Sequence, residues 1–281
     1  MSDIHVGSSL CKPDLLSSAI EETNVLSPNL VIVASDLTME GYRWEFEEAK
    51  GYLDRIECPN RVVAMGNHDV RNVGYRHFEK FFGMHATIIT IEVPEGEAKV
   101  VVLDSTKPNL DEGEVGREHY AWLDSEFRGW DRGPKILVIL HHVLAVPGTG
   151  GDANILRDAG DVIAILRELR VDMVLSGRRH VPYVWSISGV RIVHSGTASS
   201  MRVRGTMPPS YNVIDFDSKK IEIALCELGK DEGEPSASFS RSPITTSKFF
   251  PNFGWFVKYD KLPFRTPPSD ESLNSSSSPK R

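Results

Sequence analysis

Apolar residues in this chain fall into short continuous runs, and most of these runs end abruptly on polar residues. Leu30 to Ala34, Arg61 to Met65, Lys135 to Leu140 and Met173 to Leu175 have strand length and read as buried strands. Between them the spacing turns helical. Residues 13–24 set Leu15, Leu16 and Ile20 on one face, and residues 43–56 repeat Trp44, Phe46, Ala49, Tyr52, Leu53 and Ile56. Helices are also predicted over 119–127 and over about 153–170, where Ile155, Leu156, Ala159, Val162, Ile163, Leu166 and Leu169 recur. The middle differs: residues 86–93 and 99–103 are strand-like and flank a Pro94-Glu95-Gly96-Glu97 turn, a hairpin signature. Short strands at 184–187, 190–194, 211–216 and 221–225 predict a second antiparallel group. The alternation places the chain in the α/β class.

Composition narrows the possibilities. The chain has 281 residues, 40% of them hydrophobic, enough for one large domain or one domain plus an appendage. A formal charge of −7 argues against a surface built to neutralise many nucleic-acid phosphates, although a local basic patch stays open. Cys11, Cys58 and Cys226 are scattered and odd in number, and read as reduced thiols. No apolar run reaches the length of a membrane span and no signal segment opens the chain, so a cytoplasmic protein without membrane contact is expected. After residue 228 the composition shifts. Residues 229–264 read as a linker followed by an aromatic-rich strap (Phe249, Phe250, Phe253, Trp255, Phe256, Tyr259, Phe264), and residues 265–281 as a disordered Pro/Ser-rich tail.

The polar residues at the strand ends carry the candidate chemistry. They are Asp3-Ile4-His5, Ser35-Asp36, Gly66-Asn67-His68-Asp69, His141-His142 and Ser176-Gly177-Arg178-Arg179-His180. Each alone has an ordinary explanation: a frayed terminus, a helix N-cap, an Asx turn, a pair of satisfied histidines, a solvated turn. Their succession at strand ends, where open α/β sheets place sites, points to a metal centre. Carboxylate, amide and imidazole are hard and borderline ligands for divalent cations. Asp3 and His5, two apart, share a side if their segment is extended. Asp36, with two oxygens, can bridge two ions.

This order (D-x-H, Asp after a strand, G-N-H-D, His, G-x-x-H) resembles the calcineurin-like metallophosphoesterase superfamily over about residues 1–225. Gly196-Thr197 and the stretch from Arg204-Gly205 to Tyr211-Asn212 resemble its small cyclic-nucleotide-phosphodiesterase-like branch. The resemblance implies residues 1–228 as the phosphoesterase domain, a four-layer sandwich of two mixed β-sheets flanked by helices. It makes Asp3, His5, Asp36 and His180 ligands of one divalent metal, and Asp36, Asn67 and His141 ligands of a second; Mn, Fe, Zn, Ni and Co all suit such donors. His68 would lie beside the scissile phosphate and give a proton or hydrogen bond to the leaving oxygen, with Asp69 as its orienter. The implied reaction is hydrolysis of a small phosphodiester or phosphomonoester, cyclic nucleotides first, by a metal-bridging hydroxide. The oligomeric state is left open.

Three positions depart from the pattern. Arg178 stands where the family has an imidazole; a guanidinium has no lone pair to give, so the second metal site is expected to be weakened, with Arg178 turned toward a phosphate oxygen and His142 a further substrate contact or substitute ligand. Only Met1-Ser2 precede Asp3, where the family has an apolar central strand, so the first strand is expected to be missing and its neighbours' backbone groups unpaired. Ser35 replaces a glycine. These departures keep open an impaired enzyme and a non-catalytic metal- or phosphate-binding remnant. A DNA nuclease of the same superfamily is a separate alternative, against which the acidic balance and the lack of a long basic stretch count.

Overall fold

Alternate side chains of the strands face two different cores, and this period of two sets the layers. The computed structural model describes residues 1–93, 96–107, 110–146, 155–203, 207–217 and 220–229, so the expected strap and tail lie outside the described residues. The elements run α1 (Pro13–Leu26), β1 (Val31–Val33), α2 (Arg43–Leu53), β2 (Arg61–Val63), α3 (Gly74–Phe82), β3 (Thr87–Val93), β4 (Gly96–Leu103) and α4 (Arg117–Phe127). They continue with β5 (Lys135–Ile139), α5 (Ala159–Glu168), β6 (Met173–Ser176), β7 (Tyr183–Ile187), β8 (Val190–His194), β9 (Ser210–Asp217) and β10 (Lys220–Glu227).

A six-stranded mixed sheet has the order β3-β4-β5-β6-β8-β7, parallel from β4 through β6 to β8 and antiparallel at both edges. On one face Val101, Leu103, Leu137, Ile139 and Val174 pack with Leu123 and Phe127 of α4 and Val162 and Leu166 of α5. On the other, Val100, Val102, Ile136, Val138, Met173 and Leu175 meet Ala34, Val62, Ala64, Ile221 and Ile223. The opposing layer holds two pairs, parallel β1-β2 and antiparallel β9-β10. Its outer side, with Val31 and Val33, is covered by Leu16 and Ile20 of α1, Phe46 of α2 and Phe78 of α3. The result is the expected α/β sandwich of four layers.

Two expectations change. No helix was predicted at α3, whose Phe78 and Phe82 pack around Phe46 with ring centroids 6.4 Å away. α5 begins at Ala159, later than the spacing suggested. At the expected first strand, Met1 to Asp3 lie beside β1: the Met1 amine donates to Ile32 O (2.9 Å), Ala34 N to Met1 O (3.0 Å) and Asp3 N to Ser35 O (3.1 Å). On their other side Ala198 N donates to Ser2 O at 2.9 Å. The backbone groups of Ile32, Ala34 and Ser35 are therefore paired here, contrary to expectation.

Candidate metal centre

The ends of β1, β2, β5 and β6 open toward the segment Asp3–His5, and two glycines let these loops meet. A Cβ on Gly66 would fall onto Asp36, and one on Gly177 onto Ser2, Ser35 and Asp3. The side chains converge through bent rather than extended backbone. Asp3 (φ 55°), His5 (φ 53°), Asp36 (φ 41°), Arg178 (φ 77°) and His180 (φ 57°) are all left-handed, so the expected extended D-x-H segment is replaced by two tight bends. Non-glycine residues held this way cost roughly 1–3 kcal/mol each, and such strain collects at functional sites.

Asp3, His5 and His180 form one buried donor group. His5 Nε2 lies 2.9 Å from His180 Nε2, and Asp3 Oδ1 lies 3.4 Å from His180 Nε2 and 3.9 Å from His5 Nε2. His180 Nδ1–H donates to the Arg202 carbonyl at 2.6 Å, which leaves the Nε2 lone pair facing the other donors. His5 Nδ1 is buried with no hydrogen-bond partner, so either His5 tautomer leaves one buried ring atom unmatched. Burial holds His5 down to about 3, in the neutral form that ligates. Burial is the first influence on the Asp3 carboxyl and raises it; the backbone N–H of Arg178, 3.0 Å from each Asp3 oxygen, works the other way. Two facing imidazole nitrogens and a carboxylate fit a divalent cation. A second group, His5, Asp36 and His68, shares His5, so Asp36 borders the same place.

Two of the residues expected around a second cation, Asn67 and His141, meet Asp111 instead, a residue the sequence reading missed. Asn67 Nδ2 donates to Asp111 Oδ1 at 3.1 Å, and His141 Nε2–H to the Asp111 carbonyl at 3.1 Å. Arg178 Nη2 donates to the same carbonyl and lies 3.8 Å from Asp111 Oδ1. The other His141 nitrogen, Nδ1, is 2.8 Å from Ser105 Oγ.

Two expected roles meet other partners. Among the described residues no hydrogen bond joins Asp69 to His68. Its carboxylate accepts from the N–H groups of Gly66 (2.9 Å), Leu37 (3.1 Å) and Thr38 (2.9 Å) and from Thr38 Oγ1 (2.7 Å), tying the β1 and β2 loops together. The His68 orienter is the Met39 carbonyl, 2.8 Å from Nδ1, while Arg71 Nη2 lies 3.5 Å from Nε2. His142, next to His141, turns inward and is not among the cleft-lining residues: Nε2 donates to the Gly177 carbonyl at 2.6 Å and the ring packs on His194 at 3.9 Å.

A cleft of about 380 Å³ opens over these groups, lined by His5, Asp36, Met39, Asn67, His68, Arg71, Asp111, Arg178, Arg179, His180 and Arg202. Four arginines face two carboxylates, so a chain that is acidic overall has a basic cleft. The local patch that composition left open is here. Arg71, Arg179 and Arg202 were not assigned to the site from sequence, because nothing in the spacing shows which loop arginines turn inward.

The family model for calcineurin-like phosphoesterases matches residues 1–182. The chain belongs to this family. A Synechococcus protein named as a probable cyclic nucleotide phosphodiesterase is 25% identical over 159 residues, 56% of this chain and 60% of that protein. A Rhodococcus erythropolis protein with the same description is 30% identical over 173 residues, 59% of this chain and 56% of that protein. The chain thus spans somewhat over half the length of these curated relatives. Among solved structures, the purple acid phosphatase of yellow lupin seeds superposes with a TM-score of 0.62 at 10% identity, covering 86% of this chain and 52% of that one. An inner-membrane-complex anchor protein of Plasmodium superposes at 0.63 with 11% identity, covering 86% and 85%. These two share the fold. Among the described residues no helix is long and apolar enough to cross a membrane.

Proposed function

We propose that this chain is a metal-dependent phosphoesterase acting on small phosphodiesters, with cyclic nucleotides the first candidates. The observation that carries the reading is the buried Asp3, His5 and His180 group opening into a cleft with four arginines. A divalent cation held by Asp3, His5, Asp36 and His180 would polarise a phosphoryl oxygen and lower the pKa of water. The arginines supply the charge that draws an anionic ester into the cleft despite the acidic exterior. His68, fixed through Nδ1 by Met39 O, can in its imidazolium form donate from Nε2 to the departing oxygen. The family and the names of the relatives support phosphoester chemistry, and cyclic nucleotides come from those names and from the resemblance at Gly196-Thr197.

The test is hydrolysis of an aryl phosphodiester and of a 3′,5′-cyclic nucleotide by the purified chain with added manganese. Activity should vanish with a chelator, return with metal, and fall by about 100-fold or more in Asp36→Ala or His180→Ala. Hydrolysis that is unchanged in Asp36→Ala would defeat the reading. A wild-type protein inert toward both esters would favour a non-catalytic binding role.

A further inference from the structure

The side chains that would complete a second cation site do not fit one. A guanidinium at position 178 has five N–H donors, no lone pair, and stays protonated. Arg178 is 8% exposed, and its guanidinium lines the same cleft as Asp36 and Asn67 of the expected set. His141 has both ring nitrogens in use, on Ser105 Oγ and on the Asp111 carbonyl. Asn67 turns its amide N–H₂ to Asp111 Oδ1. Asn67, His141 and Arg178 therefore all act as donors toward Asp111. Two donors on the Asp111 carbonyl and one on its carboxylate make a hydrogen-bonded anchor, whereas a cation needs lone pairs aimed at one point. Asp3 also accepts hydrogen bonds, from Ser2 Oγ at 2.5 Å and from the Arg178 N–H. His5 and His180, however, turn Nε2 toward each other and Asp3 Oδ1 lies 3.4 Å from His180 Nε2, so this group keeps lone pairs aimed at one point.

We propose that the centre is mononuclear, and that the Arg178 guanidinium stands permanently in place of a second metal ion, supplying its positive charge to the phosphoryl group bound in the cleft. The arrangement follows from the backbone as well as the side chain. The N–H of Arg178 grips both oxygens of Asp3 at 3.0 Å, so the residue that replaces one cation also steadies a ligand of the other. A guanidinium brings one positive charge in a planar fork, suited to paired hydrogen bonds with phosphoryl oxygens. It cannot dissociate, so this part of the site needs no metal supply. The inference rests on the phosphoesterase reading for its substrate, but its claim about metal number stands apart from turnover.

The experiment counts metal. Stripped full-length chain is incubated with excess manganese, desalted, and measured by elemental analysis and by electron paramagnetic resonance. The wild type should hold one manganese per chain with the spectrum of an isolated ion. Arg178→His should hold two and show the spectrum of an exchange-coupled pair. Arg178→Met, which removes charge without offering a nitrogen, should still hold one while kcat/KM for the diester falls by about 100-fold; circular dichroism melting of each variant checks folding. Two ions in the wild type would overturn the proposal, as would Arg178→His remaining at one ion, or Arg178→Met keeping wild-type kcat/KM. No ion in the wild type would overturn the phosphoesterase reading itself, a different failure.

Discussion

At the level of single residues, the site is made by which neighbour each side chain finds, and that is where sequence reasoning was both strongest and weakest. The donor types at Asp3, His5, Asp36 and His180 were legible because the clusters of Asp36 and His180 follow apolar runs and, with Asp3-Ile4-His5, stand in an order that isolated accidents rarely produce. The direction of a side chain in a bent loop was not. His141 and His142 look alike in sequence; the structure turns the first to Asp111 and buries the second against His194, whose Nδ1 is 2.6 Å from Ser176 Oγ. Asp111 sits in the charged loop Asp111-Glu112-Gly113-Glu114, where nothing singles out one acid.

The buried histidine pair has a consequence for stability. Burial holds His142 down to about 4 and His194 well below its usual value. Both are neutral in the folded state, whereas the unfolded chain protonates them near pH 6.5. Their contribution is thus complete above about pH 6.5 and is lost as the pH falls toward the folded-state values. For His142 alone the loss is at most roughly 3 kcal/mol by pH 4, at about 1.4 kcal/mol per unit. Burial pushes Asp69 up to about 7, which acts in the opposite sense over the same interval, so the test compares variants. Urea midpoints of the metal-free protein should fall less between about pH 6.5 and 5 in His142→Gln than in the wild type; equal profiles would contradict the packing described.

At the level of elements, the strands are rigid rods whose C-terminal loops must be fastened to one another. Most strands were legible from their continuous apolar runs, and the edge hairpin β3-β4 from the turn between them. β2 and α2 were legible too. α3 was not predicted, although Phe78, Phe81 and Phe82 have the spacing of a helix face; its apolar side is aromatic rather than aliphatic. The pairing of β8 with β6, which sends β7 to the edge, depends on contacts distant in the chain and has no local signal. The fastening of the β1 and β2 loops falls on Asp69. Asp69→Ala would leave the N–H groups of Gly66, Leu37 and Thr38 without their carboxylate inside the protein, each worth about 1–3 kcal/mol. The expected loss is on the order of 3–5 kcal/mol in denaturant unfolding, together with weaker manganese binding because the loops carrying Asp36 and Asn67 come apart. If Asp69 acted only on His68, turnover would fall while the unfolding midpoint stayed in place.

At the level of the whole molecule, four layers bring an acidic exterior and a basic cleft into one chain. Net charge alone argued against phosphate partners at the surface, and this is compatible with the cleft, because charge averaged over 281 residues says nothing of four arginines gathered at one sheet end. The layer order was legible from the alternation of strands and helices together with the family resemblance. The resemblance implied that loops from β1, β2, β5 and β6 share one site; Asp36 and His180 border the Asp3–His5 segment, whereas Asn67 and His141 meet on Asp111. The bends at Asp3 and His5 that produce the first convergence belong to the folded chain alone.

That convergence is tested most directly by crystals of the protein soaked with manganese and measured for anomalous scattering. The account predicts an anomalous peak about 2.0–2.3 Å from Asp3, His5 Nε2, Asp36 and His180 Nε2, at ordinary metal-ligand distances. A map with no peak among these four side chains, or with manganese bound only elsewhere on the protein, would contradict it.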